Sequence, residues 1–416
     1  TGLTGTGKQR LNTLVEAGFN NPELRTVPRP HIFVTNYESL QMEDMLEALQ
    51  NWAPEAIVFD EAHRLKDYKR TAVRAQAALK LSSPGTQKDP LPRPLVYCLS
   101  GTPYPNSLLD IFMQYKILDG GKTFGQNFTD FRARYFRDKN SGMPKERYFP
   151  AWVPLEGAKE ELGRKMAATS VRVRLEDCLD LPPIVEKTIA VEMTPEQRRL
   201  YREMLQEFVT YFERDGVTKA SVATLAITKG LRLMQIASGY VKDDEGTEHS
   251  TSLEGWVPKQ EALYQILSDH ASQHKVIVWA VWKQNYEQIR EVCRRLKIEW
   301  LEMNGEFGAK KNRENAKTFE ESEHYKVMIA HPESGGEGIN LVSAAMRVSY
   351  SRNFSWRQMK QSDARNYRGG SERHASITRI NLVTKDTIEG KITEKLANHE
   401  EITETVLREI TTHKEE

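Results

Sequence analysis

The feature that most narrows the possible folds is a repeated pattern of short, nearly continuous apolar runs separated by stretches of helical period. HIFVTNY at 31–37, AIVFD at 56–60 and LVYCL at 95–99 form one set. KVIVWA at 275–280, IEWLEM at 298–303, KVMIA at 326–330, MRVSY at 346–350 and ITRINLV at 377–383 form a second. A strand that is apolar on both sides is covered on both sides, and strands joined through helices run parallel. The pattern predicts an α/β chain with two parallel-sheet lobes.

Between the two sets the texture changes to charged, helix-forming sequence with scattered aromatics, as in NFTDFRARYF and TPEQRRLYREMLQEF. Thr194, Pro195 and Gln197 together read as a capped helix start. A chain of 416 residues also exceeds one ordinary core. The expected division is a first lobe over 1–120, a helical insertion and linker over 121–255, a second lobe over 256–402 and a helical tail over 403–416.

Composition bounds the partners. The net charge of +1 provides no global field for a polyanion, so any nucleic-acid contact must come from local placement of charge. No apolar run reaches the length of a bilayer span, which predicts no membrane association. Cys98, Cys178 and Cys293 are far apart and odd in number, which predicts free thiols in a reducing compartment, the cytoplasm, and neither disulfides nor a zinc site.

The chemistry concentrates at strand ends. AIVF runs into Asp60, Glu61, Ala62 and His63, and the carboxyl end of a parallel strand is where open α/β sheets place ligands. Two carboxylates there suit nucleotide hydrolysis: one holds Mg2+ through water and the other orients the attacking water. The bland alternative is an acidic cap between strand and helix. LVYCL ends in Ser100-Gly101-Thr102-Pro103, where small hydroxyl side chains on a tight turn can bond to the acidic segment. In the second lobe, GGEGINL at 335–341 offers glycines that let backbone approach a ligand, at Gly336 and Gly338, and then Asn340. Gln361, Arg365 and Arg368 follow; on a helix the two arginines, three apart, would share a face and could meet charge developing on a γ-phosphate. A glycine-rich loop and a solvated basic face are the ordinary readings of these two segments.

Taken in order, FDEAHRLKDY, LSGTPYPNSLLDIF, RVRLEDCLDLPP, VEMTPEQRRLY, LRLMQIASGY, GGEGINL, the Gln361/Arg365/Arg368 spacing and LVTKDTIEGKI resemble the SWI/SNF-type group of superfamily 2 helicase-like ATPases. They look most like the compact bacterial and phage versions. The resemblance implies two RecA-like lobes, use of ATP and Mg2+, and movement along double-stranded DNA in a bacterial or phage-infected cytoplasm. It assigns Asp60 to Mg2+, Glu61 to the water, and His63, Ser100 and Thr102 to coupling. It also assigns Gly336, Gly338 and Asn340 to the nucleotide cleft, and Gln361, Arg365 and Arg368 to the sixth motif, the arginines as fingers. Thr35, Tyr37 and Glu38 fall where the family approaches the tracking strand. Lys229, Arg232, Lys283, Lys310, Lys311 and Arg313 are further candidates for phosphate contact. Two departures stand out: Arg172-Val173-Arg174-Leu175 replaces the usual Arg-Arg-Thr-Lys, and Gly369-Gly370-Ser371 follows Arg368 where a small turn ends in Gln.

Gly2-Leu3-Thr4-Gly5-Thr6-Gly7-Lys8 has the spacing of a phosphate-binding loop. Only Thr1 precedes it where a strand is required, and Gln9 stands where a hydroxyl would hold Mg2+. The expectation is therefore that this segment is not the phosphate loop, and that the chain starts within a longer protein. Two other functions remain open at this point: a strand-separating helicase on DNA or RNA, and a DNA-binding module without turnover.

Overall fold

The computed structural model describes residues 32–69, 71–83, 92–101, 103–104, 107–142, 150–173, 177–212, 219–242, 248–252, 255–334, 339–353 and 355–390. The segment Gly2 to Lys8, residues Thr102, Gly336 and Gly338, and the expected tail at 403–416 lie outside them. The chain divides into two compact units, one of residues 1–143 and 150–171 and the other of 144–149 and 172–416.

In the first unit, β1 (Ala56–Phe59) pairs in parallel with β2 (Leu95–Cys98). Their inward residues, Ile57, Phe59, Val96 and Cys98, pack on α1 (Glu43–Trp52), α2 (Val73–Ser82) and α3 (Ile111–Asp119) through Met45, Leu49, Ala78, Leu81 and Phe112. On the opposite face Val58, Leu95 and Tyr97 are exposed, the alternation expected of strands covered on one side. The segment expected as a strand at 31–37 contributes a single bridge residue, Val34. Helices α4 (Phe128–Tyr135) and α5 (Ala158–Ala167) and the antiparallel pair β3 (Phe136–Asp138) and β4 (Trp152–Pro154) complete the unit. An aromatic cluster of Phe112, Phe124, Phe128 and Phe131 ties α4 to α3. Residues 121–143 and 150–171, expected as insertion, thus belong to the first unit.

The second unit is built on a six-stranded parallel sheet in the order β5-β12-β11-β8-β10-β9. The strands are β5 (Ile184–Val191), β8 (Val276–Trp279), β9 (Trp300–Met303), β10 (Val327–Ala330), β11 (Met346–Ser349) and β12 (Ile377–Thr384), while β6 (Tyr240–Lys242) and β7 (Glu248–Ser250) form a separate pair. β5 corrects the expected boundaries, because it lies within 121–255 yet pairs with β12 along eight residues. Its side chains are mostly exposed and include Glu186 and Lys187, so an edge strand here carries no buried-strand signature.

Successive residues of β8 face opposite cores. Val276 and Val278 pack with Leu263, Leu267, Ile289 and Val292 from α8 (Pro258–His270) and α9 (Lys283–Leu296), and Ile277 and Trp279 pack with Phe319 of α10 (Ala309–Glu321). Helices on both faces explain the continuous apolar runs. The long helices α6 (Pro195–Phe212) and α7 (Lys219–Ala237) lie between β5 and β8 in sequence. The capped start of α6 forms as expected: the Gln197 N–H donates to Thr194 Oγ1 at 3.1 Å and the Thr194 N–H donates to Gln197 Oε1 at 3.3 Å. Among the described residues no helix is long and apolar enough to cross a membrane.

All three cysteines are free. Burial pushes the Cys98 and Cys293 thiols up to about 12, so neither is a thiolate nucleophile near neutral pH.

A buried ion pair closes the second unit. Lys259 of α8 and Glu389, 1% and 2% exposed, lie 2.5 Å apart. The Lys259 ammonium also donates to the Tyr350 carbonyl, and the second Glu389 oxygen accepts from the Thr384 N–H. Desolvation lowers the lysine's pKa and Glu389 opposes the shift. Removing one member leaves the other charge buried and alone, so Glu389→Ala should cost about 3–5 kcal/mol, whereas the paired change Lys259→Met with Glu389→Leu should recover most of it. Urea denaturation of the three proteins measures the difference.

Candidate functional site

The acidic pair sits where β2 grips the chain on both sides of it. The Leu99 N–H donates to the Phe59 carbonyl at 2.9 Å, and the Leu99 carbonyl accepts from the Ala62 N–H at 2.8 Å. Asp60 and Glu61 are looped out between these two bonds, and the chain turns immediately into a short 3-10 segment, Ala62–Leu65. Ala62 and Leu65, both fully buried, anchor that segment. Closing the loop over two residues puts Glu61 in the left-handed region, at φ 49° and ψ 48°. A residue other than glycine, asparagine or aspartate is strained there, and such strain persists only where surrounding bonds hold it.

Those bonds also aim the side chains. One oxygen of Asp60 accepts from the Glu61 N–H at 2.9 Å, and the Tyr37 hydroxyl donates to the Asp60 carbonyl at 2.6 Å. Asp60 itself is exposed, so its second carboxylate oxygen is available to a ligand. Glu61 is turned toward His63, whose Nδ1 lies 3.1 Å from Glu61 Oε2 and 3.3 Å from Ser100 Oγ. With a carboxylate at 3.1 Å the proton belongs on Nδ1, donated mainly to Glu61 and more weakly to Ser100. His63 is 3% exposed, so the line from Glu61 through the imidazole to the turn after β2 is shielded from solvent.

Sequence reasoning placed Tyr37 against a nucleic-acid strand; the structure turns its hydroxyl inward to Asp60 and stacks its ring with Phe59 at 6.3 Å. Glu38 accepts from Arg64 and Arg74 at 2.9 and 3.0 Å. Thr35 is half-buried.

The remaining candidates belong to the second unit. The expectation that Arg365 and Arg368 share a helical face does not hold. Helix α11 (Trp356–Asp363) carries Gln361 but stops before both. Beyond it, the chain also bonds to the loop before β11: the Arg365 carbonyl accepts from the Leu341 N–H at 2.9 Å, and the Asn366 side chain donates to the Ala344 carbonyl at 3.1 Å. Arg365 Nη1 donates to the Ile339 carbonyl at 3.2 Å, which brings it beside exposed Asn340. Arg368 is half-buried, and its guanidinium has no partner among the described residues.

The residues that fix this segment were not singled out from sequence. Asp363, at the end of α11, pairs with Arg347 at 2.9 Å and Arg379 at 3.6 Å. Arg347 is 1% exposed and also donates to Asn381 Oδ1 and Ser349 Oγ. Burial lowers its pKa while Asp363 opposes the shift. The only available signal was an arginine in the middle of an apolar strand, MRVSY.

Of the basic candidates, Lys283 at the start of α9 pairs with Glu306 at 3.1 Å. Lys310, Lys311 and Arg313 are exposed on α10, and Lys229 and Arg232 are half-buried on α7.

Among the described residues no group of three or more His, Cys, Asp or Glu side chains could hold a metal ion. An exposed carboxylate at a strand end, as at Asp60, is the kind of donor that Mg2+ takes, since that ion keeps most of its water and uses one or two carboxylates together with phosphate oxygens.

Two family models match the chain: the SNF2-related domain over residues 6–238 and the helicase conserved C-terminal domain over residues 258–370. The chain is 24% identical to protein p41 of Acyrthosiphon pisum secondary endosymbiont phage 1 over 383 residues, covering 88% of this chain and 74% of that protein. It is 24% identical to the DNA repair and recombination protein RAD54-like of Gallus gallus over 429 residues, covering 98% of this chain and 55% of the relative. The chain thus spans about half the length of its RAD54-like relatives. Among solved structures, the Sulfolobus solfataricus SWI2/SNF2 ATPase core in complex with dsDNA is 22% identical at a TM-score of 0.43, with 91% of this chain and 74% of that chain covered.

The left-handed backbone at Glu61 yields a stability expectation. Glu61→Gly should relieve the strain and, despite losing the contact with His63, leave the first unit unchanged or more stable by about 0.5–1 kcal/mol. Thermal denaturation of the variant checks this. A loss of several kcal/mol would show that the His63 contact, and not the strain, dominates at this position.

Proposed function

Because the chain belongs to the SNF2-related family of helicase-like ATPases, we propose that it is an ATP-driven motor that moves along double-stranded DNA. The observation that carries this reading is the strained turn after β1, which holds two carboxylates apart in role: Asp60 exposed and outward, Glu61 tied to buried His63 and through it to Ser100.

In this reading Asp60 would hold Mg2+ through its carboxylate, and the ion would supply charge neutralisation at the nucleotide's phosphates. Glu61 orients the attacking water and accepts its proton, and the His63 contact sets the angle of the carboxylate. Arg365 and Arg368 are the positive groups suited to charge developing on a transferred phosphoryl group, and Gln361 on α11 belongs to the same motif. Ser100 and Thr102 pass the state of the acidic pair to the turn after β2. Gly336, Gly338 and Asn340 contribute to the nucleotide's surroundings, and Lys229, Arg232 and Lys283 offer charge to backbone phosphates without reading bases. Thr35 remains a candidate for strand contact, while Tyr37 supports Asp60.

Glu61→Gln keeps the size of the side chain but removes the base. DNA-stimulated ATP hydrolysis should fall by about 10²–10⁴-fold with nucleotide binding retained, and Arg368→Ala should lower turnover without changing the melting temperature. Wild-type turnover in Glu61→Gln would remove Glu61 from the chemistry. The type of motor is decided by substrate: a translocase displaces the third strand of a triplex and leaves a forked duplex intact, whereas unwinding of the fork would replace this reading with a strand-separating helicase.

A further inference from the structure

The two faces of the six-stranded sheet are chemically unlike. Register places Ile277, Arg347, Arg379 and Glu186 in one row across β8, β11, β12 and β5, with Ser349 and Asn381 in the next row of the same face, since residues paired in register point the same way. On the opposite face the apolar core continues from Val278 through Val348 to Ile380. On this face it ends at Ile277, and beyond β8 the row is charged. The polar patch is still covered: Arg347, Ser349 and Asn381 are 1%, 6% and 3% exposed.

The segment that follows α11 is seated on this patch at two points. Arg379 lies 3.6 Å from one oxygen of Asp363, and its guanidinium carbon lies 5.3 Å from the centre of the Tyr367 ring, within reach of a cation–π contact. Asp363 is the last residue of α11, and Tyr367 immediately precedes Arg368. The other oxygen of Asp363 lies 2.9 Å from Arg347. Arg347 donates to Asn381 Oδ1 at 2.7 Å, and the Asn381 amide donates to Glu186 Oε1 at 3.1 Å, which carries the polar row out to the edge strand. Burial lowers the Arg347 pKa, Asp363 opposes the shift and Arg379 adds to it. Asp363 thus separates two guanidinium groups that would otherwise repel one another in a desolvated site.

Buried charge of this kind adds little net stability and acts instead on placement. What it places is the short stretch between Asp363 and Tyr367, held at both ends by one arginine, with Arg368 as the next residue. The Arg368 guanidinium itself has no partner among the described residues, so its position is set by the backbone that carries it. We propose that Asp363 and Tyr367 are positioning residues for Arg368, with Arg379 as their common seat. This role rests on the function proposed above for Arg368; the seat does not.

Three substitutions and a double-mutant cycle test it. Asp363→Asn keeps the shape and removes the charge. Tyr367→Leu removes the ring at a half-buried site, so it reports on the seat even if Asp363→Asn fails to fold. Each should lower kcat for DNA-stimulated ATP hydrolysis by about 10–10²-fold through misplacement of a reacting group, with KM for ATP unchanged. Tyr367→Phe, which keeps the ring, should restore the rate. Combined with Arg368→Ala, neither Asp363→Asn nor Tyr367→Leu should cost anything further, because a residue that acts through Arg368 then has nothing left to place. Hydrogen exchange of the amides from 364 to 370, measured without nucleotide, should quicken in Asp363→Asn and Tyr367→Leu and not in Tyr367→Phe. Losses that multiply with that of Arg368→Ala would overturn the positioning role. Exchange equal to wild type in both variants would overturn the seat. If Arg368→Ala turns over like wild type, or the wild-type chain hydrolyses no ATP, the reading of Arg368 fails and the positioning role with it, while the exchange measurement still decides the seat.

Discussion

Two backbone hydrogen bonds from Leu99, one to Phe59 and one from Ala62, determine most of what the first unit can do. They fasten β1 to β2 at the point where the chain must turn, and the two residues left between them are the two acids. The left-handed conformation of Glu61 follows from that closure and is not a preference of the residue. Once the backbone is fixed, the side chains have few choices: Asp60 points to solvent, and Glu61 lies against an imidazole already held at the turn after β2. A local cost in conformational energy thus gives two chemically similar groups different surroundings, one in solvent and one against a buried imidazole.

The second unit reaches the same kind of precision with buried charge. The pairing of Asp363 with Arg347 and Arg379 and the amide of Asn366 on the Ala344 carbonyl hold the segment carrying Arg365 at both ends. Lys259 and Glu389 do the same for the chain after β12. Buried pairs of this sort add little net stability because desolvation opposes the Coulomb gain. Their effect is on register: an alternative packing leaves an unpaired charge inside the protein, so the arginine-bearing turn has one place to go.

Electrostatics at larger scale point the same way. A chain with a net charge of +1 does not attract a polyanion by its overall field. Any contact with phosphate must then come from individual groups and not from the overall field.

The sequence by itself determined the α/β class, the buried strands of the second unit, the strands β1 and β2, the cap at Thr194 and the acidic pair at a strand end. The buried strands are readable because cover on both faces demands unbroken apolar runs, and the caps and strand-end acids because they are local in sequence; β1 and β2 are as apolar although one face of each is exposed. It did not reveal β5, an edge strand whose exposed charged residues look like linker, nor that residues 121–143 and 150–171 pack with the first unit. It also suggested a helical face for Arg365 and Arg368, since spacing along a chain cannot register that Leu341 and Ala344 will take the backbone and side-chain bonds that end the helix. The strain at Glu61, the inward turn of Tyr37 and the buried pairing of Arg347 with Asp363 were decided only by tertiary structure. Each depends on groups tens of residues apart in the chain, and the energy that places them exists only once those groups share a desolvated site.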